Sequence, residues 1–252
     1  MGKDISIGLL GLGVVGSGVI QIVNEHQDEL RHQLGCGVKV EKVLVRNMEK
    51  ARQVNVDEAL LTQNSEDVLA NSNIDVVIEV MGGVDTARDY ITKALQAKKH
   101  VVTANKDLIA LHGPELEALA KENGCDLLYE ASVGGGIPLL RPLSDGLVSD
   151  RINQVMGIIN GTTNYILTKM DKEGQSYEDA LAKAQELGFA EADPTADVEG
   201  LDAARKMVIL SRLSFFTNVE LDDVEVEGIS TLNLADIDYG NKLGLTDRKS
   251  VV

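Results

Sequence analysis

Asp202 and Lys206 stand four residues apart in a segment whose pattern predicts a helix over 200–215, which places both side chains on one face. A lysine ammonium held beside a carboxylate can give a proton to an oxygen that is gaining negative charge. Glu191, Asp193, Asp197 and Glu199 crowd the same stretch. Such a cluster can bind an α-ammonium group, and its field keeps a nearby lysine protonated. The same spacing also describes an ordinary helix ion pair contributing about 0.3–0.5 kcal/mol, and spacing alone leaves both readings open.

A second candidate lies near the start, in Ile5-Ser6-Ile7-Gly8-Leu9-Leu10-Gly11-Leu12-Gly13-Val14-Val15-Gly16. Gly11, Gly13 and Gly16 follow an apolar strand and open a helix, which is the context a dinucleotide site needs. The first glycine permits the tight turn, the second lets backbone approach a pyrophosphate, and the third lets helix and strand pack closely. The helix start supplies unpaired N–H donors to phosphate. At the end of the second strand stands Arg46-Asn47, where an acidic residue would prefer a free ribose 2′-hydroxyl. An arginine favours a 2′-phosphate by about 1.5–3 kcal/mol, so NADP is the expected cofactor, with NAD also compatible. Glu49 is close enough in sequence to pair with that arginine instead. Thr103-Ala104-Asn105-Lys106 follows the fourth strand, at the sheet edge where the nicotinamide would lie, and Lys106 could donate to substrate or cofactor. Gly134-Gly135-Gly136 could present backbone groups to an ion or act as a hinge. His26, His32, His100 and His112 are scattered without ligand spacing and receive no catalytic role.

The elements that must position these residues alternate. Strands are predicted at 5–10, 38–45, 75–81, 100–103 and 126–130, and helices at 14–34, 66–70 (with Ser65 as N-cap), 87–97 and 114–123. One face of the 14–34 helix is expected to bury Val15, Val19, Ile22 and Val23. This alternation predicts an α/β fold, a Rossmann-type doubly wound parallel sheet with ligands at the carboxyl ends of its strands. Beyond about residue 130 the pattern predicts a helix at 139–147, a strand at 152–159, a polar turn at 160–164, and helices at 165–172, 177–187, 200–215 and 235–243. The expected organisation is a cofactor domain over 1–130 and an α+β substrate and dimerisation domain over 131–246. Asp247-Arg248-Lys249-Ser250-Val251-Val252 is what one frame of a common sequencing adapter would encode, so 247–252 is expected to be a non-native tail on a truncated gene.

At 252 residues, with 44% hydrophobic and 25% charged side chains, the chain has material for two globular domains. A formal charge of −16 argues against nucleic acid or anionic membranes as partners. Two cysteines, Cys36 and Cys125, without metal spacing suggest neither a disulfide framework nor structural zinc, and a reducing cytoplasm is expected. The apolar N-terminal run is interrupted by glycines and lacks a basic start, and no run of about 20 apolar residues occurs, so neither a signal peptide nor a membrane span is expected.

Gly-Leu-Gly-Val-Val-Gly, Thr-Ala-Asn-Lys, Tyr-Glu-Ala-Ser-Val-Gly-Gly-Gly-Ile-Pro, Asn-Gly-Thr-Thr-Asn-Tyr-Ile-Leu and Gly-Phe-Ala-Glu-Ala-Asp-Pro-Thr-Ala-Asp-Val-Glu-Gly-Leu-Asp-Ala-Ala-Arg-Lys together resemble the N-terminal part of the homoserine dehydrogenases. The likeness runs from about residue 5 to 244, and its last two motifs are far more specific than the glycines. It implies reversible reduction of L-aspartate 4-semialdehyde to L-homoserine with NAD(P)H, on the branch to threonine, methionine and isoleucine. It further implies Lys206 as proton donor with Lys106 beside cofactor and substrate, and Glu191, Asp202 and Asp197 as substrate ligands. Gly11, Gly13, Val14, Val15, Gly16, Arg46, Thr103 and Gly188 would meet the cofactor. A sodium ion on the backbone carbonyls of Glu130, Val133, Gly135 and Ile137 is also implied, as is a homo-oligomer for the full-length form. A cofactor-binding fragment without turnover, or another NADP-linked reductase of a small semialdehyde, are the competing expectations.

Overall fold

The computed structural model describes residues 2–50 and 54–244, and the expected tail at 247–252 lies outside them. The chain divides into two compact units, Met1–Gly136 and Ile137–Val252. Among the described residues no helix is long and apolar enough to cross a membrane.

In the first unit, β1 (Ile5–Leu10) is the central strand of a six-stranded parallel sheet. It pairs with β2 (Val38–Leu44) on one side and β4 (Val76–Glu79) on the other. The order is β3-β2-β1-β4-β5-β6, with β3 (Leu61–Thr62), β5 (His100–Thr103) and β6 (Leu127–Leu128) completing it. The winding reverses between β1 and β4, which opens a crevice at their carboxyl ends. One face buries Leu10, Ile91, Leu95, Val101, Leu108 and Leu116, and the other buries Leu9, Ile20, Val43 and Val45. Each such side chain contributes about 1.5–3 kcal/mol of burial.

Several helices depart from expectation for identifiable reasons. The predicted 14–34 helix is two, α1 (Val14–Glu25) and α2 (Gln27–Leu34). The Gln27 side-chain amide donates to the carbonyls of Val23 (2.6 Å) and Val38 (2.7 Å), taking the place of the backbone bond that would have continued the ladder. The buried face of α1 is Gly16, Ser17, Ile20 and Val23, while Val15 and Ile22 are exposed. Ser65 makes no capping bond to α3 (Glu66–Leu69), and Asn64 instead accepts from the Glu66 N–H at 3.2 Å. Helix α4 (Asp85–Gln96) starts two residues early, and α5 (Lys106–Asn123) begins eight residues before the expected Pro114. Pro114 lies inside α5, where the preceding Gly113, having no Cβ, relieves part of the clash that proline imposes on its predecessor.

The second unit packs α6 (Gly161–Glu173), α7 (Tyr177–Glu186), α8 (Thr195–Val198), α9 (Leu201–Phe215) and α10 (Leu234–Lys242). Ile166, Met170, Ala180, Ala184, Val198 and Ile229 form its core. The helix expected at 139–147 is a short π-type turn over Pro142–Gly146, in which Leu147 N–H reaches the Pro142 carbonyl at 2.9 Å. The strand expected at 152–159 carries a single bridge at Met156 and no ladder among the described residues. The expected turn at 160–164 is already the first turn of α6, with Asn160 as its N-cap.

At the amino end of the sheet, burial opposes ionisation of Asp75, but the Lys3 ammonium (2.7 Å) and the Ser6 N–H (2.9 Å) outweigh it and lower its pKa. This contribution is present above the unfolded value of about 3.9 and is lost as pH falls through the lower folded value. Asp75→Asn is therefore expected to lower the melting temperature at pH 7, with the difference from the parent closing under acid. Within α1, a Cβ on Gly16 would sit 2.2 Å from the Gly11 carbonyl oxygen, whereas one on Gly18 meets nothing within 4 Å. Urea titration is expected to show Gly16→Ala destabilised by about 1–3 kcal/mol and Gly18→Ala stabilised by about 0.5–1 kcal/mol.

Candidate functional site

The crevice at the carboxyl ends of β1, β2 and β4 is a cavity of about 870 Å³, lined in part by Gly11, Gly13, Arg46, Lys50, Gly82 and Tyr90. Gly11 has φ +104°, and a Cβ there would meet the Val80 carbonyl at 2.8 Å. Gly13 is different, since a Cβ on it meets nothing within 4 Å, so the space in front of it is open to a ligand. Helix α1 begins there with no side-chain cap and no acidic residue in its first turn. Its leading N–H groups are thus presented to an anion. Val14 and Val15 follow in that turn and are 77% and 54% exposed.

Arg46 lines the same cavity, is exposed, and makes no ion pair among the described residues, so the possible pairing with Glu49 does not occur. Asn47 accepts from the Glu49 N–H at 2.8 Å instead. Lys50 is a second cation on the cavity wall that the glycine and strand-end arguments did not reach. Thr103 is buried, its hydroxyl donating to the fully buried Glu79 at 2.7 Å and accepting from the Asn105 N–H at 3.0 Å. Asn105 caps α5 by accepting from the Leu108 N–H and ties the helix to the Gly83 carbonyl at 2.6 Å. Lys106, half-buried, is the first residue of that helix.

In the second unit a cavity of about 570 Å³ gathers Asn160, Thr162, Tyr165, Asp197, Asp202 and Lys206. Asp202 is 5% exposed and the Lys206 side chain 18%. The Lys206 ammonium donates to Asp202 Oδ2 at 2.7 Å and to the Ile159 carbonyl at 2.7 Å. Asn160 donates to Asp197 Oδ1 at 2.7 Å and to Asp202 Oδ2 at 2.9 Å. The Thr162 hydroxyl lies 2.7 Å from the Phe189 carbonyl and 3.0 Å from Asp197 Oδ2, and its one proton serves one acceptor at a time. Two carboxylates, one ammonium and an amide thus meet in one open cavity, an arrangement able to hold a small zwitterion and to protonate its oxygen.

Asp197, Asp202 and Lys206 are brought together as sequence reasoning anticipated. Glu191 is exposed and outside the cavity wall, with its backbone carbonyl accepting from Gln185 at 3.0 Å. Gly188 takes a left-handed φ of +76° after α7, beside Phe189, which does line the cavity. Asp193, by accepting from the Thr195 hydroxyl and N–H, titrates below its ordinary value and acts as a local turn residue. Glu130 opens a short 3₁₀ turn, its carbonyl accepting weakly from the Val133 N–H at 3.4 Å, and Gly134 and Gly135 follow with φ of +81° and +60°. Ile137, the remaining residue of the implied sodium set, opens the second unit. Among the described residues no cluster of three histidine, cysteine or acidic side chains could hold a metal.

Comparison with known proteins agrees with this geometry. A family model described as "Homoserine dehydrogenase, NAD binding domain" matches residues 11–130, and one described as "Homoserine dehydrogenase" matches 138–250. An Archaeoglobus fulgidus protein assigned as a homoserine dehydrogenase is 32% identical, superposes with a TM-score of 0.83, and is matched over 98% of this chain and 84% of its own. The chain belongs to the homoserine dehydrogenase family. The homoserine dehydrogenase of Bacillus subtilis (strain 168) is 60% identical over 244 residues, 97% of this chain and 56% of that protein. The crystal structure of the Thiobacillus denitrificans homoserine dehydrogenase superposes with a TM-score of 0.89 at 42% identity, over 96% of this chain and 56% of its own. The chain therefore spans about half the length of the curated homoserine dehydrogenases it matches.

Asn160 and Thr162 are the cavity residues that the sequence reading passed over as a turn. The available signal was Asn160-Gly161-Thr162-Thr163 ahead of the apolar positions Ile166, Leu167 and Met170, which is how an N-cap precedes a helix. Removing the cation from this pocket leaves the buried Asp202, beside the half-buried Asp197, without its counter-charge. In urea titrations Lys206→Met is expected to destabilise by about 3–5 kcal/mol, while the pair Lys206→Met with Asp202→Leu recovers most of that loss. A double variant as unstable as the single one would mean that the pair contributes little.

Proposed function

We propose that this chain carries the catalytic core of an NAD(P)-dependent enzyme interconverting L-aspartate 4-semialdehyde and L-homoserine, on the route to threonine, methionine and isoleucine. The observation that carries the reading is the Lys206 ammonium, fixed at 2.7 Å by both Asp202 and the Ile159 carbonyl in an acid-lined cavity of a homoserine dehydrogenase family member. When bound, the reduced dinucleotide supplies a hydride to the aldehyde carbon. Lys206 delivers the proton to the aldehyde oxygen as charge develops there. Asp197 and Asp202 receive the α-ammonium of the amino acid, and Glu191, exposed outside the cavity wall, is assigned to the same group on the family resemblance alone. Lys106, Thr103 and Gly188 flank the reacting end of the cofactor.

Gly11, Gly13 and Gly16, with the leading N–H groups at Val14 and Val15, hold the pyrophosphate. Arg46, supported by Lys50, receives a ribose 2′-phosphate, which favours NADP over NAD in a chain whose net charge of −16 would otherwise repel it. A sodium ion would be held by the carbonyls of Glu130, Val133, Gly135 and Ile137. That donor set contains only neutral oxygens and suits a hard cation, which would brace the segment. We assign residues 1–130 to cofactor binding and 131–246 to substrate binding, and read the full-length protein as a cytoplasmic homo-oligomer.

Absorbance of NADPH after addition of L-aspartate 4-semialdehyde tests the reaction, and oxidation is expected. Lys206→Ala should lower kcat by about 10²–10⁴-fold with little change in KM, and near-normal kcat would overturn its role. Arg46→Ala should weaken NADPH binding by about tenfold while leaving NADH unaffected. NADPH binding without oxidation by the parent chain would support the second reading, a cofactor-binding fragment.

A further inference from the structure

One residue contacts every charged group of the second-unit cavity or sits next to the residue that does. Asn160 has two amide protons, and each meets a different carboxylate, Asp197 Oδ1 at 2.7 Å and Asp202 Oδ2 at 2.9 Å. Its side-chain oxygen accepts from the Thr163 N–H at 2.8 Å, capping α6. The chemistry of these partners fixes the amide's orientation, because the reversed amide would set its oxygen against two carboxylates and its protons against an N–H. The side chain is thus fully used and 5% exposed. The backbone adds a second role. Asn160 takes the extended conformation (φ −128°, ψ +118°) of an N-cap, and the carbonyl just before it, that of Ile159, is one of the two acceptors of the Lys206 ammonium. The other is Asp202 Oδ2, the same oxygen that Asn160 holds.

We propose that Asn160 is the positioning residue of the reaction. Its amide keeps Asp197 and Asp202 side by side, and its place as the cap of α6 sets both acceptors of the Lys206 ammonium. Asn160 touches no reacting atom and acts through Lys206 and the two carboxylates. The inference rests on the proton-donor reading of Lys206 but is tested without it. The charged and titratable groups around the amide are Asp197 from α8, Asp202 and Lys206 from α9, and Tyr165 from α6. Like-charged carboxylates forced together resist joint ionisation unless donors stabilise them, and the amide supplies two.

Asn160→Ser and Asn160→Asp both retain a good N-cap, so α6 should persist in each, as far-ultraviolet circular dichroism checks, while the lost amide donors lower the melting temperature. The first readout is the rate at which acetic anhydride modifies Lys206 in the ligand-free chain, followed by mass spectrometry with the other lysines as internal reference. With Asp202 released, Lys206 should react about tenfold faster in Asn160→Ser, the others being unchanged. The second readout is the pH profile of kcat. Asn160→Asp places three carboxyl groups together, and protonating residue 160 at lower pH restores an O–H donor to its neighbours. Activity of Asn160→Asp relative to the parent should therefore rise as pH falls, while Asn160→Ser stays low throughout. Unchanged Lys206 reactivity in folded Asn160→Ser overturns the proposal. If the parent chain oxidises no NADPH, the proposed reaction fails, and the acetylation comparison still decides the role of Asn160.

Discussion

A helix begins with backbone N–H groups that its own hydrogen-bond ladder cannot satisfy, and the way this chain settles that debt organises both of its cavities. At α5 the Asn105 side chain accepts from Leu108 N–H, and at α6 the Asn160 side chain accepts from Thr163 N–H. At α1 the cap is Gly13, which has no side chain to offer, and the first turn carries no acid. The donors at α1 are left for something outside the chain, at the place where the parallel sheet reverses its winding. The two asparagine caps do more than close their helices. Asn105 also grips the Gly83 carbonyl and so ties α5, with Lys106 at its start, to the loop after β4. Asn160 spends its remaining donors on two carboxylates.

Charge follows a similar division between bulk and place. A chain with a formal charge of −16 is a poor host for phosphate in general. Arg46 and Lys50 on the wall of the first cavity reverse that sign where it matters. In the second cavity the balance runs the other way, two carboxylates to one ammonium, which leaves the pocket short of positive charge and suited to a cationic group.

What could be read from residues alone was what repeats or what chemistry singles out. The apolar run of β1, the glycines after it, the alternation that makes a parallel sheet, and Asp202 with Lys206 on α9 all carry local signals of period or spacing. The two-residue strand β3 is too short to show a period. The break after α1 depends on Gln27 reaching Val38, eleven residues away, which no local pattern contains. Gly113 and Pro114 read as punctuation, yet a helix already capped at Asn105 runs through them. The run at 152–159 has strand composition but forms only the Met156 bridge among the described residues, since pairing is a property of two segments. Asn160 was hidden by its own type, because asparagine before glycine reads first as a turn and only afterwards as a cap.

The three glycines that follow β1 are required for different reasons. Gly11 and Gly16 answer to the protein itself, since any side chain at either would collide with backbone of the same unit whether or not a ligand ever arrives. Gly13 faces open space and answers only to what binds there. A descendant that lost its nucleotide would be free to change the middle glycine while still obliged to keep its neighbours. In this fold the outer pair records ancestry, and the middle position records present use.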